Sequence, residues 1–390
     1  MKFAHLSDCH LGGWRDKGLR RLGIESFRKA IETALQERAG FILIAGDLFD
    51  TALPPLDILK DVTSILVLLK EQDIPVYLIP GSHDYSASGK TMLDILEHAG
   101  LVENVMKLQD NTLTFTTDKT GTKITGYMGR KGGLEKNNYT TMNYASLEQE
   151  PGFKIFLFHT LLNQFKEVGF ETLDCADLSI LPKGFNYYAG GHPHFVRNAT
   201  FQEYGTIAYP GPTFPNNFKE LEELHHGGFY LAETTNNKLT LKHVSLKLKE
   251  VTTLFINADG KTPAQVEQEI LTSLPHPEDN IITLRIEGTL KEGKPSDIDF
   301  RNINKHCEKA YALLKNTTKL VTQEYEQPAI HEPSETLEQD LIKQTLTNTF
   351  HNEEEIIYTL ITALDKEKLE GEKTQDYETR IINEATKALP

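Results

Sequence analysis

The sequence predicts an α/β protein in which two packed β-sheets are flanked by helices (αββα), followed by a small α/β cap domain and a helical C-terminal tail. Two observations predict the αββα part. Short apolar runs alternate with amphipathic stretches up to Gly100, a pattern typical of a mainly parallel sheet covered by helices. Further apolar runs with fewer helices between them follow up to Gly211, and they favour a second sheet packed on the first.

The elements of the two sheets can be placed in chain order. For the first sheet we predict strands in "KFAHLS", "FILIAG" and "PVYLIP", with helices in "IESFRKAIETALQERA", "LDILKDVTSILVLLKEQ" and "KTMLDILEHAG". For the second sheet we predict strands in "TLTFTT", "KITGYMG", "FKIFLFH", "NYYAGG" and "TIAYPG". Together these elements would form one domain over residues 1–248.

A change of character after Leu246 predicts a domain boundary. We predict a strand, a helix, a strand, a helix and a strand in "TTLFINADG", "PAQVEQEILTSLP", "IITLRIEGTL", "DFRNINKHCEKAYALL" and "KLVTQEYE". This order is the outline of a small α/β cap domain over residues 249–330. Residues 331–390 would contain a linker and three short helices, Thr336 to Phe350, Glu353 to Lys368 and Tyr377 to Leu389.

Composition restricts the class of protein. The chain has 390 residues and 39% hydrophobic content, which is enough to bury a large core. Its three cysteines are too few and too scattered for a disulfide framework, which favours a reducing compartment. Neither a signal peptide nor an apolar run long enough to span a bilayer is evident, so we expect a cytoplasmic protein without a membrane partner.

The net charge of −15 speaks at first against a polyanionic partner such as DNA. Its distribution weakens that objection, because residues 321–390 hold 16 acidic and six basic side chains, a net charge of −10. Salt screens exposed charges beyond about 10 Å, so the acidic C-terminal part says little about a site elsewhere.

Polar side chains able to bind a metal follow five of the predicted strands. Ligand sites of open α/β sheets lie at the carboxyl ends of their strands. In an extended chain, residues two apart point their side chains the same way. The five strand ends carry, in chain order, Asp8 and His10; Asp47; Ser82, His83 and Asp84; His159; and His192 and His194.

Carboxylates mixed with imidazoles, without thiolates, indicate a site for two hard-to-borderline divalent ions such as manganese or iron. Two such ions can clamp both oxygens of an in-line phosphoryl displacement. Asp47 follows Gly46, which lets the backbone come close, and it is the candidate for the carboxylate that bridges both ions. His159 alone would more often be a core histidine, and only its companions favour a ligand.

The ordered set Asp-x-His, Gly-Asp, Gly-Asn-His-Asp, His and Gly-His-x-His resembles the calcineurin-like metallophosphoesterase superfamily, over residues 1 to 215. Within it, "KFAHLSDCHLG", "ILIAGDLFD", "VYLIPGSHD" and "GFNYYAGGHPH" resemble DNA double-strand-break repair nucleases of the SbcD or meiotic-recombination-eleven type, in their archaeal form. The resemblance implies an enzyme with two Mn(II) ions per subunit that degrades duplex DNA ends 3′ to 5′ and nicks single strands. It also implies a homodimer and an SMC-like coiled-coil ATPase subunit as partner.

The same resemblance implies roles for the residues at the strand ends. One ion would be held by Asp8, His10, Asp47 and His194, and the other by Asp47, Ser82, His159 and His192. His83 would be the acid that protonates the departing sugar oxygen, and Asp84 would orient its ring. The family motif has Asn where this chain has Ser82, so we expect the second ion to be bound less tightly.

Basic residues in two places suggest contact with a nucleic acid backbone. One set lies in the segment that follows the first two proposed ligands. It comprises four basic residues and an aromatic one: Arg15, Lys17, Arg20, Arg21 and Trp14. The other set lies four apart in the cap domain and would form one stripe on a helix: Arg301, Lys305 and Lys309. A solvated Gly-rich loop and a solvated helix face are the alternatives.

The C-terminal region carries apolar positions such as Leu341, Leu360 and Ile381 on an acidic background. A self-packed helical lobe would explain them, whereas the resemblance implies a region that docks on the ATPase partner. The chain has no Gly-x-x-x-x-Gly-Lys-[Ser/Thr] phosphate loop, so any ATP dependence must come from another subunit.

Two other functions remain open at this point. A metal-dependent phosphodiesterase acting on small substrates would use the same centre, although it would need neither the cap nor the tail. A DNA-end-binding scaffold with catalysis weakened by Ser82 is the second.

Overall fold

The computed structural model describes residues 1–85, 91–109, 111–130, 135–166, 175–236, 238–274, 278–322 and 374–387, with residues 356, 359, 360, 364 and 366. Contacts divide the chain into two compact units, Met1–Gln323 and Glu324–Pro390. In the part of the chain that is described, no helix has both the length and the apolar character needed to cross a membrane.

The strands of the first unit are β1 (Lys2–Leu6), β2 (Phe41–Ala45), β3 (Val76–Ile79), β4 (Glu103–Asn104), β5 (Lys107–Gln109), β6 (Thr112–Thr114), β7 (Thr116–Thr117), β8 (Lys123–Tyr127), β9 (Lys154–His159), β10 (Tyr187–Gly191), β11 (Val196–Thr200), β12 (Thr206–Pro210), β13 (Gly227–Thr235), β14 (Lys238–Leu246), β15 (Val251–Asn257), β16 (Ile281–Leu290), β17 (Ala312–Asn316) and β18 (Leu320–Thr322). Its α-helices are α1 (Lys17–Gln36), α2 (Leu56–Glu71), α3 (Met92–His98), α4 (Glu135–Thr141), α5 (Ala145–Gln149), α6 (Phe218–Leu224), α7 (Pro263–Ser273) and α8 (Phe300–His306).

The first sheet has the strand order β14-β13-β1-β2-β3-β4, in which β1 to β4 are parallel. Strands β1, β2 and β3 are buried on both faces, which explains why they read as continuous apolar runs. Successive side chains point to opposite faces. In β2, Ile42 and Ile44 therefore pack in one core with α1 and α2, while Phe41 and Leu43 face the second sheet.

The second sheet has the order β11-β12-β10-β9-β8-β7, with β8, β9, β10 and β12 parallel. Its inner face meets the first sheet in a shared core, where the rings of Phe3 and Tyr187 lie edge to face with centroids 5.3 Å apart. Its outer face packs with α4 and α5 through residues such as Phe156 and Leu147. Burying each large apolar side chain contributes roughly 1.5–3 kcal/mol. The predicted αββα arrangement is confirmed.

The small α/β part contains a parallel sheet with β16 at its centre, paired with β15, β17 and β18. Helices α7 and α8 cover one face and bury Val266, Ile270 and Ile303 in a core of their own. The predicted order of elements in this part is observed with one addition, the strand β17. The boundaries at residues 248 and 330 stay predictions.

The prediction of one continuous helix over "DFRNINKHCEKAYALL" is wrong. Helix α8 ends at His306, and Ala312–Asn316 forms β17, which pairs in parallel with β16. Pairing with the central strand of the sheet outweighs the helical pattern that the sequence suggested. Lys309 therefore lies in the turn after α8 and does not extend a helical stripe from Arg301 and Lys305.

In the second unit the structure describes helix α9 (Thr374–Lys387), which overlaps the predicted helix Tyr377 to Leu389. The predicted helix Thr336 to Phe350 lies outside the described residues. Of Glu353 to Lys368, only residues 356, 359, 360, 364 and 366 are described.

Candidate metal centre

The carboxyl ends of β1, β2, β3, β9 and β10 bring most of the predicted ligands together. Their donor atoms form three groups. In each group, all donor atoms lie within 4.8 Å of one another. The groups are Asp8, His10 and His194; Asp8, Asp47 and His159; and His10, Asp50 and His83. Side chains that are up to 186 positions apart in the sequence thus lie at one site, as expected for residues at strand ends.

The backbone at this edge adopts conformations that ordinary residues rarely take. Four of the predicted ligands have positive φ angles: Asp8 (50°), His10 (42°), Asp47 (52°) and His192 (95°). Non-glycine residues in this region are uncommon, and such strain concentrates at functional sites. Gly46 is required as well, because its φ is 88° and a Cβ there would lie 2.3 Å from Nδ1 of His159.

Asp47 lies at the centre of the site. Its Oδ2 is 3.1 Å from Nε2 of His159 and 3.7 Å from Nε2 of His10. Its Oδ1 accepts a hydrogen bond from the backbone N–H of His83 at 2.7 Å, and the hydroxyl of Ser82 donates to Oδ2 at 3.3 Å. Burial alone would raise the pKa of Asp47, but His159 and His10 hold this pKa well below its usual range. The carboxylate is therefore ionised and lies between two of the predicted ligand histidines.

His159 is buried and its two ring nitrogens differ. Nδ1 lies 2.8 Å from the carbonyl oxygen of Ala45, so Nδ1 carries a proton and donates it. Nε2 is buried and has no hydrogen-bond partner, although Asp47 is close. Burial on its own would lower the pKa of His159, but the charge of Asp47 and the contact with it raise the pKa to about 10. A positive charge between the His159 ring and the Asp47 carboxylate is thus strongly favoured.

His10 and His194 form a second pair. Their Nε2 atoms face each other at 3.1 Å. Nδ1 of His10 lies 3.2 Å from Oδ1 of Asp50, and Nδ1 of His194 lies 2.7 Å from Oε1 of Glu220. With both Nδ1 atoms donating to carboxylates, both Nε2 lone pairs point at one place, where either a proton or a metal ion must lie. Despite burial, the contact with Glu220 and the charge of Asp8 raise the pKa of His194 to about 9.

These observations fit divalent metal ions. Carboxylates and imidazoles converge on shared points, the outer ring nitrogens of the histidines are held by carboxylates or a carbonyl, and Nε2 of buried His159 has no hydrogen-bond partner among the described residues. Orienting contacts of this kind accompany most histidine metal ligands. No thiolate takes part, since buried Cys9 has a pKa raised by burial.

Comparison with known families agrees with the geometry. Residues 1–195, half of the chain, match the model of the calcineurin-like phosphoesterase family. The chain belongs to this family. Membership implies divalent metal ions at the site described above, and the structure contains a possible centre for two of them.

Three relatives of this phosphoesterase share the same description. A DNA double-strand break repair protein Mre11 from Methanococcus maripaludis is 31% identical over 61% of this chain and 64% of its own length. Proteins with the same description from Aeropyrum pernix and Sulfolobus acidocaldarius are 32% and 22% identical. The former match covers 56% of this chain and 55% of the relative, and the latter covers 95% and 97%. The chain thus spans less than two thirds of the length of the Methanococcus relative.

Two of the predicted site residues are placed differently from the rest. Within the described residues, the His192 ring is outside the three donor groups; it packs against the ring of His159 with centroids 5.3 Å apart. Ser82 is buried, and its hydroxyl donates a hydrogen bond to Asp47. Both residues were predicted as ligands of the second ion, and that assignment stays a prediction.

The role predicted for Asp84 needs correction. Its carboxylate accepts hydrogen bonds from the backbone N–H groups of Leu48, Phe49 and Gly81, and so ties two loops of this phosphoesterase together. Burial and the charge of Asp47 raise the pKa of Asp84 to about 6. The ring of His83 is oriented instead by the carbonyl oxygen of Asp50, 2.8 Å from its Nδ1. The His83 side chain is 39% exposed, so a ligand can reach it.

Sequence reasoning missed Asp50 and Glu220. Asp50 stands three residues after Asp47 in "GDLFD", and its spacing was the only available signal. Glu220 lies 26 positions after His194 in "FKELEEL", where nothing distinguishes it from its acidic neighbours. Its contact with His194 depends on the path of the loop between β12 and α6.

The predicted DNA-contacting residues of the first set are partly helical, because α1 begins at Lys17, where Asp16 caps it. Trp14 is half-buried and donates from Nε1 to the carbonyl oxygen of Pro215. Arg20 donates to the carbonyl oxygen of Trp14, and Arg21 pairs with Glu25. Arg15 and Lys17 are exposed, as are the three residues of the cap set. Their contact with DNA stays a prediction.

Proposed function

We propose that this chain is a metal-dependent DNA phosphodiesterase that processes DNA ends, acting 3′ to 5′ on duplex DNA and as an endonuclease on single strands, with two Mn(II) ions per subunit. One observation carries the proposal: two pairs of candidate metal ligands, His159 with Asp47 and His10 with His194, converge beside the accessible ring of His83. The description of the relatives as double-strand break repair proteins supports DNA as the substrate.

The proposed roles of the residues follow their positions. Asp47 would serve both ions. When bound, the two ions would supply Lewis-acid chemistry, polarising phosphate oxygens and lowering the pKa of water. One ion would be held by Asp8, His10, Asp47 and His194, and the other by Asp47, Ser82, His159 and His192.

His83 is the proposed general acid. Its Nδ1 donates to the carbonyl oxygen of Asp50, so the proton for the departing sugar oxygen would be held on Nε2. Its ring stands edge-on to that of His10, a proposed ligand, with centroids 4.7 Å apart. Asp84 supports this arrangement by fixing the loop that carries His83 through the N–H of Gly81.

The test is cleavage of end-labelled linear duplex DNA by the full chain, with Mn(II) and with chelator. His83→Gln is the decisive variant, and His98→Gln is its matched control because His98 is exposed at the end of α3. We expect Mn(II)-dependent shortening that His83→Gln abolishes and His98→Gln retains. Metal binding and hydrolysis of a chromogenic phosphodiester without DNA cleavage would overturn the proposal in favour of a small-substrate phosphodiesterase. Bound metal and DNA without any turnover would favour a scaffold.

The proposal extends to partners. The C-terminal region would dock on an SMC-like coiled-coil ATPase, and the chain would act as a homodimer. Deleting residues 334–390 should abolish co-purification with such an ATPase, and persistence of the complex would count against this assignment. Light scattering of the intact chain tests the dimer.

A further inference from the structure

Helix α6 joins the metal centre to the small α/β sheet. In a helix, consecutive residues point about 100° apart, so neighbours in sequence contact different surroundings. Three consecutive residues of α6 contact three different parts of the structure. Glu220 contacts a proposed metal ligand, Leu221 is buried in a core shared with residues of the small sheet, and Glu222 pairs with an arginine of that sheet.

Glu220 is held firmly toward the metal centre. Its Oε1 accepts a hydrogen bond from Nδ1 of His194 at 2.7 Å, and its Oε2 accepts one from the backbone N–H of Asn216 at 2.7 Å. The side chain of Asn217, which caps the helix, accepts from the backbone N–H of Glu220. The carboxylate is 14% exposed, and each of its oxygens is held by a hydrogen bond.

Glu222 is held equally firmly on the other side. Nε of Arg285 donates to both carboxylate oxygens of Glu222, at 2.9 and 3.1 Å, and Nη2 donates to Oε2. The guanidinium also lies over the ring of Phe218, 5.1 Å from its centroid. Arg285 belongs to β16, the central strand of the small sheet. Fork-shaped pairs of this kind fix geometry as well as contributing energy.

Leu221 completes the connection. It is fully buried in a cluster with Leu19, Leu22 and Phe214 of the αββα part and Ile281 at the start of β16. A displacement of β16 therefore displaces α6, because the ion pair and the apolar contact both connect them. The same helix carries Glu220, which accepts the hydrogen bond from Nδ1 of His194.

We infer that Glu220 is a positioning residue for His194, and that α6 transmits the position of the small sheet, through Glu222 and Arg285, to the affinity of the centre for its metal ion. The inference rests on the metal site of the proposed function. Its consequence is regulation: a ligand that displaces β16 changes metal occupancy without touching the centre.

The test compares the Mn(II) affinity of the full chain and its variants by electron paramagnetic resonance of the free ion, without DNA. Glu220→Gln should weaken binding about 10- to 100-fold, since it removes the carboxylate on the ligand histidine. Glu222→Gln and Arg285→Gln should each weaken it about 2- to 30-fold, although neither touches the centre. Glu223→Gln, on the same helix and 58% exposed, is the matched control and should bind Mn(II) as the parent does.

Two further variants separate the link from general destabilisation. In the Glu220→Gln background, Arg285→Gln should have no additional effect, because the connection is already broken. The charge exchange Glu222→Arg with Arg285→Glu, made together with Glu287→Gln because Glu287 also contacts Arg285 at 3.2 Å, should restore most of the affinity lost in either single variant. Unchanged affinity in Glu222→Gln and Arg285→Gln would overturn the inference. The expected affinities without any DNA cleavage would instead contradict the proposed function and leave the inference standing.

Discussion

The carbonyl oxygen of Asp50 accepts a hydrogen bond from Nδ1 of His83 at 2.8 Å, while the carboxylate of Asp50 lies 3.2 Å from Nδ1 of His10. One residue thus orients the proposed acid with its backbone and a proposed metal ligand with its side chain. The contact with His10 is also the main cause that lowers the pKa of Asp50 below its ordinary value. The two functions can therefore be separated by substitution, because only the carboxylate is lost in Asp50→Asn.

Asp50→Asn should weaken Mn(II) binding about 10- to 100-fold, because the amide orients the His10 ring less strongly. Cleavage of DNA at saturating Mn(II) should stay close to that of the parent, since the carbonyl that holds His83 is unchanged. Titration of activity with Mn(II) measures both quantities. Asp73→Asn, whose side chain is 91% exposed, serves as control. A parent-like Mn(II) requirement in Asp50→Asn would contradict the role assigned to the carboxylate.

Metal binding should release protons. The pKa of His159 is about 10 and that of His194 about 9, so both imidazoles are protonated at pH 7.5 in chelator-treated protein. Each ion must displace a proton from the nitrogen it binds, so the affinity should rise with pH, by up to about tenfold per pH unit for each proton released.

Calorimetric titration with Mn(II) in two buffers of different ionisation enthalpy counts these protons. We expect the parent to release between one and two protons on Mn(II) binding, and His194→Gln to release one fewer. Heats that do not depend on the buffer would show that no proton is displaced and that the assigned charges are wrong.

The layout of the site could be predicted because it follows from topology. Parallel strands end at one edge of a sheet, so Asp8 and Asp47 had to lie close together once β1 and β2 were placed, and packing of the second sheet on the first brings His159, at the end of β9, to the same edge. Glu220 could not be predicted, because its contact with His194 depends on a loop path without sequence periodicity. The prediction that Lys309 lies on a helix failed for another reason. Short apolar stretches such as "YALL" suit a helix or a strand, and only pairing with β16 decides between them.

Ser82 allows a test of the second ion. Its hydroxyl is short and already donates to Asp47 at 3.3 Å, so it would be a weak ligand. Ser82→Asn would introduce the amide of the family motif, whose carbonyl oxygen reaches further. We expect the weaker of two Mn(II) dissociation constants to fall about tenfold, a gain of roughly one good polar contact.

The measurement is Mn(II) titration of the parent and Ser82→Asn, with Ser82→Ala as the matched control for loss of the hydroxyl. Ser82→Ala should bind the second ion no better than the parent. Identical second dissociation constants in the parent and Ser82→Asn would mean that position 82 is not a ligand in this chain.

His5 makes stability depend on pH. The ring is fully buried between the sheets, and its Nδ1 lies 2.8 Å from the hydroxyl of Tyr187. Burial lowers the pKa of His5 from 6.5 to about 3, so the unfolded chain takes up a proton at a pH where the folded chain does not. Stability contributed by neutral His5 is complete above pH 6.5 and is lost as the pH falls toward 3. Near pH 3 the lost stability is on the order of 4 kcal/mol.

The double variant His5→Phe with Tyr187→Phe isolates this effect, because it removes the titrating ring without leaving the tyrosine hydroxyl unpaired. Its free energy of unfolding should fall less steeply between pH 6.5 and pH 4 than that of the parent, as measured by urea denaturation in the presence of chelator. Tyr187→Phe alone should keep the parent's slope, because His5 still titrates on unfolding. Equal slopes in the parent and the double variant would show that His5 is already protonated in the folded protein, and that the inter-sheet core accommodates its charge.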